Sequence, residues 1–159
     1  MADETELTHL QKSRIRMETA IPIIRAMETE LGRERAHELV REALDRKTTA
    51  EVAATTKGKS FKTMPFNSAA VDASFAAGDA LEYDVLREDE EAFDFNVVGC
   101  QYKALMVELD AVDLGGLLFC DGDFAAAKAF GLELARTQTC MQGASHCDFR
   151  YRLRRNADK

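Results

Sequence analysis

The hydrophobic period of this chain changes after Gly78, and that change limits what it can fold into. Up to about Thr56 apolar residues recur at helical spacing. Leu10, Met17, Ile21, Ile24 and Leu31 follow one another at three, four or seven residues, and Ala36, Leu39, Val40, Ala43 and Leu44 continue the pattern. After Gly78 the period becomes two. Leu81, Tyr83 and Val85 alternate with Glu82, Asp84 and Leu86. The acidic run Glu88 to Glu91 makes a turn, and Phe93, Phe95 and Val97 alternate again. A helical first half and a strand-bearing second half define an α+β chain.

Breakers subdivide the helical half. Pro22 lacks an amide hydrogen and crowds the carbonyl four residues back, so a kink or a restart is expected there. Gly32 suits a cap between two helices. His9 and His37 read as exposed polar positions. Residues 57–79, with Gly58, Pro65 and Gly78, form a looser crossing in which Met64, Pro65 and Phe66 anchor the chain or lie over a pocket.

In the second half, Gln101 to Leu109 reads as a short helix and AVDLGGLLFC as a connection ending at Cys120. Asp123 to Gly131 reads as a second helix with Asp123 as cap or first-turn acid. Two further strands, Leu134 to Met141 and Cys147 to Leu153, flank a turn at Gly143. The order α-α-β-β-α-α-β-β places N-terminal helices on an antiparallel sheet of about four strands. One domain over residues 1–159 is expected, with a helical layer at 1–56 and the sheet at 79–155.

Composition removes several function classes. The net charge of −7 speaks against a nucleic-acid partner, and Arg150, Arg152, Arg154 and Arg155 suit solvated strand positions or a carboxylate site better than RNA. No apolar run approaches a membrane span, and the opening MADETELTHL lacks the basic and apolar regions of a signal peptide, so a cytoplasmic protein is expected. The four cysteines, Cys100, Cys120, Cys140 and Cys147, are then expected as free thiols. Amphipathic N-terminal helices leave a homodimer open.

No phosphate loop, HExxH, GxSxG or CxxC signature is present. Reactive side chains gather instead between Asn96 and Arg150, including all four cysteines, His146, Asp121, Asp123, Asp148 and Arg136. Cys120 stands just before a helix, whose N-terminal dipole can lower a thiol below its free pKa of ~8.5. Cys147 shares a strand face with Phe149 and Tyr151, opposite His146, Asp148 and Arg150. A zinc site from Cys120, His146 and Cys147 would need a distorted turn, because adjacent strand residues face opposite ways.

The run FNVVGCQYKALMVEL, then LLFCDGDF, then LARTQTCMQGASHCDFRYR, resembles the L-2-amino-thiazoline-4-carboxylic acid hydrolase family over residues 94–152. Carrying the likeness are Cys100 after a strand, the pair Cys120 and Asp123, the R-T-x-T at Arg136 to Thr139, and the closing segment from Gly143 to Arg150. The helical half matches only in character.

The resemblance implies a cofactor-independent hydrolase that opens a small cyclic amidine by adding water at the carbon between sulfur and nitrogen. On that implication Asp123 partners the amidine or relays protons, and Arg136 takes a substrate carboxylate. Cys120 or Cys147 attacks as a thiolate, or a carboxylate activates water directly. Thr139, Cys100, Asn96 and His146 complete the substrate site. Cys140, just after R-T-x-T, departs from the family pattern and narrows the pocket or fills space. A binding or sensor domain that lost chemistry, or a Cys/His metal-binding domain, are the alternatives.

Overall fold

The structure is a computed structural model that describes residues 6–57 and 66–154. Met64, Pro65 and Arg155 lie outside the described residues. Two long helices open the fold, α1 over His9–Leu31 and α2 over Arg33–Thr56. Thr8 starts α1 by a capping box, its hydroxyl accepting the Gln11 amide while the Gln11 side chain accepts the Thr8 amide. Gly32 divides the helices at φ 81°, a left-handed value that favours glycine. Pro22 does not restart the helix. Its position is exposed, where solvent can satisfy the carbonyl its ring leaves without a donor.

A short helix α3 (Ser68–Asp72), capped by the Asn67 side chain, leads to the sheet. β1 (Leu81–Glu88) and β2 (Ala92–Cys100) form the expected hairpin. α4 (Gln101–Glu108), α5 (Val112–Gly115), a π-turn (Gly116–Cys120) and α6 (Gly122–Ala129) follow. β3 (Leu132–Ala135), a 3-10 turn (Cys140–Gln142) and β4 (Cys147–Leu153) complete the described chain. The sheet order is β1-β2-β4-β3, antiparallel throughout, as an α+β fold with preceding helices requires.

Two differences from the sequence reading have physical causes. Val85 and Leu86 are both exposed, because register shifts beside Tyr83 and Arg87 break the alternation of β1. The third strand begins earlier and stops at Ala135. Beyond it the Asp148 carboxylate accepts the Thr137 and Gln138 amides, at 2.9 Å each, and the Thr137 hydroxyl at 2.6 Å. A side chain thus replaces the ladder partner that a longer strand would need. Those bonds outweigh the effect of burial and hold the Asp148 carboxyl below its ordinary value.

Two apolar cores meet at the end of β2. One lies on the inner face of the sheet, where Phe93, Phe95, Val97, Cys147 and Tyr151 pack against Val71 of α3 and Ala127 of α6. The other joins Met17 and Ile24 of α1 to Tyr102 and Met106 of α4, Leu114 and Met141. Close approach at this second core requires Gly115, since a Cβ there would stand 2.2 Å from the Met141 sulfur. His9 and His37 are not exposed polar positions. His9 Nδ1 lies 3.0 Å from the Tyr102 hydroxyl, and His37 Nε2 lies 2.5 Å from Glu28 across the α1–α2 corner. No helix among the described residues is long and apolar enough to cross a membrane.

Candidate active site

Helix α6 begins directly after the π-turn, and this junction places its first-turn acid, Asp123, against the end of β3. Arg136, the first residue past β3, donates from Nη1 to Asp123 Oδ2 at 2.6 Å and from Nη2 to the Cys120 carbonyl at 2.9 Å. Its guanidinium carbon lies 4.9 Å from the Phe124 ring centroid and 5.1 Å from that of Phe149. Two aromatic contacts and two directed hydrogen bonds hold the group in one pose. Only 5% of the Arg136 side-chain surface is open, against 32% for Asp123.

The acid is therefore the accessible member of the pair. Its carboxyl is pushed up to about 6, chiefly by burial, with Arg136 pulling the other way. Asp123 is partly open at the surface yet strongly desolvated by the residues packed around it, and this corner, with the half-exposed Phe124 ring nearby, is the recess considered as the site. Tyr151 lies near enough on the inner face for Asp123 and Arg136 to act on its hydroxyl, which burial holds well above its ordinary value.

Cys120 contributes to this recess through its backbone carbonyl, while its thiol side chain packs against the second core. The expected lowering of that thiol does not occur. Burial pushes it up to about 12, and the neighbouring Asp123 charge adds to the rise. The helix that follows has only eight residues and starts two positions later, so its dipole does not offset desolvation.

Cys147 faces inward with Phe149 and Tyr151, as alternation requires, and its thiol is also raised to about 12 by burial. Its sulfur accepts the Cys140 amide at 3.2 Å, and the Cys140 thiol donates to the Val97 carbonyl at 3.3 Å. Cys140 therefore fills the sheet core; with β3 ending at Ala135, strand alternation does not govern its direction. Cys100, at the junction of the two cores, is half-buried and its thiol is raised by burial. It lies close enough to both Cys120 and Cys147 to raise their thiols further. All four cysteines are free.

The remaining candidates do not join the recess. Asn96 points to the outer face of the sheet, where it accepts Arg150 Nη2 at 2.9 Å. His146 lies in the turn before β4, with Gln138 and Ser145 within 2.9 Å of its ring nitrogens. Thr139 is buried and caps the 3-10 turn by accepting the Gln142 amide at 3.2 Å. Among the described residues, no three His, Cys, Asp or Glu side chains are placed to hold one metal ion.

Phe124, Phe149 and Tyr151 were not singled out as site residues. The alternation of β4 already put Phe149 and Tyr151 inward, but only the packing of α6 brought Asp123 to them. Two surface concavities lie elsewhere, one around Gly32, Arg33, Arg35 and Arg41, the other around Arg87, Glu133 and Arg152. Their arginines are engaged by Asp113, Glu38, Asp121, Asp89 and Asp94. Neither concavity presents a desolvated acid or a thiol, so the Asp123 recess is the better setting for chemistry.

No curated protein matches the chain. A family model does, and it spans residues 12–151, taking in most of the helical half as well as the segments around Cys120, Asp123 and Arg136. The chain belongs to the L-2-amino-thiazoline-4-carboxylic acid hydrolase family.

Proposed function

We propose that this chain is a hydrolase that opens a small 2-amino-thiazoline-like ring, with Asp123 as its acid–base group and water as its nucleophile. One observation carries the assignment: a partly accessible carboxyl, desolvated to a pKa of about 6 and fixed by Arg136. A base near the operating pH combines a usable ionised fraction with real proton affinity.

In the proposed reaction Asp123 takes a proton from water as the oxygen bonds to the amidine carbon. The protonated acid then returns that proton to the ring sulfur or nitrogen as its bond to that carbon breaks, while the second water proton passes from the hydroxyl of the adduct to the ring nitrogen as the carbonyl forms. Water and ring give a carbamoyl-cysteine type product, and Asp123 ends ionised as it began. The exposed Phe124 ring offers an aromatic edge for a flat heterocycle beside the acid.

Arg136 is a positioning residue in this scheme. Its two directed bonds are spent on Asp123 and Cys120, which leaves the substrate carboxylate to be recognised by other groups. The thiols are assigned to the lining, because a pKa of about 12 leaves little thiolate at neutral pH for Cys120 or Cys147.

The test is steady-state turnover of 2-amino-thiazoline-4-carboxylate. Asp123→Asn is expected to lower kcat by ~10²–10⁴-fold with the fold retained. In the parent protein, kcat should rise with pH through about 6 and then level, since the base form is the ionised one. A parent protein with no turnover would defeat the substrate reading. Turnover that survives Asp123→Asn would defeat the role of Asp123.

A further inference from the structure

We propose that the outward face of α1 is a self-association surface on which a second copy of this chain docks antiparallel. Ser13, Met17 and Ile24 are the buried residues of α1 and mark its inner side. At about 100° per residue, Ile15, Thr19, Pro22 and Ala26 fall on the opposite side and Ile23 at its edge, and all five are exposed. Ile15 is 58% and Ile23 56% accessible. No charged residue interrupts this side between Lys12 and Glu30; Arg16 and Glu18 project along its flanks. A surface helix ordinarily turns charged side chains outward, and one that carries exposed isoleucines on an uncharged outward side is suited to packing there as well.

Charge chooses the occupant. Lys12 and Glu30 are separated by about five helical turns, so they share one angular position at the two ends of the uncharged stripe, about 27 Å apart. They are opposite in sign and equidistant from Ile21. A twofold axis crossing between the two stripes at the level of Ile21 therefore sets each Lys12 beside Glu30 of the second copy and lays the stripes over one another. Parallel pairing would instead match Lys12 with Lys12. Lys12 also meets Glu6, an exposed residue, at 2.9 Å, a contact that solvent leaves free to exchange. The stripe is one helix wide, near or below the ~1,200 Å² lower end of specific interfaces, so the association is weak and concentration-dependent.

Sedimentation velocity on the full chain, over about 5 to 500 µM, tests this independently of any enzymatic activity. The expected result is a monomer that converts to dimer across the range. Ile23→Glu should move the midpoint at least ~10-fold higher, with helix content by circular dichroism unchanged. Lys12→Glu and Glu30→Lys should each weaken the dimer, and the double exchange should restore it. A chain that stays monomeric throughout overturns the proposal. So does a dimer that ignores Ile23→Glu, or a double exchange no better than the sum of its single variants.

Discussion

The Asp123–Arg136 recess and the Cys140–Cys147 pair both lie against the inner side of the sheet, yet their environments are opposite. At the recess a carboxyl keeps a third of its side chain open, and burial together with a fixed guanidinium sets its affinity for a proton. At the cysteine pair both residues are under a tenth exposed, with the Cys140 amide and thiol donating to the Cys147 sulfur and the Val97 carbonyl. Both regions hold residue types capable of chemistry. Access and charge distinguish them: a desolvated acid with an opening is poised to exchange a proton, whereas an enclosed thiol with a raised pKa behaves as a small apolar side chain.

Changes to each region sharpen or break that contrast. The largest effect should come from Arg136→Met, which removes the cation opposing the desolvation of Asp123. The kinetic pKa should move upward from about 6, and turnover below it should fall about tenfold for each unit of movement. A kcat–pH profile measures the shift; an unmoved profile would mean that Arg136 does not control the acid. Next is Asp148→Ala, which strips three hydrogen bonds from the segment leading to Cys140. A loss of about 2 kcal/mol in urea-unfolding free energy is expected, with turnover impaired less than by Asp123→Asn. The smallest is Cys147→Ala. As a core residue it should cost about 1 kcal/mol and leave kcat within about threefold of the parent. A Cys147→Ala variant that folds but cannot turn over would restore the covalent thiolate route and erase the contrast.

Much of the fold was legible because it depends on periodicity. The helical half, the break at Gly32, the β1–β2 hairpin and the inward set Phe93, Phe95, Val97, Cys147 and Tyr151 follow from spacing alone. The strand expected through Met141 was misread because threonines at 137 and 139 have strand propensity, while Asp148, distant in sequence, takes the amides that a strand would pair. Of the residues expected to share a site, Cys120, Asp123 and Arg136 lie together, while Asn96 and His146 lie apart from them. Opposite faces of a strand are readable in a sequence; which face a remote helix will cover is not.

The sequence by itself determined most of the element types, the fold class and the family, because these reside in local periodicity and in ordered short motifs. Tertiary structure alone decided that Arg136 is spent on Asp123 and that desolvation raises the thiol of Cys120. The physical reason is range. Propensity and pattern act over a few residues along the chain, whereas desolvation, ion pairing and a protonation equilibrium depend on every atom brought near, whatever its position in sequence.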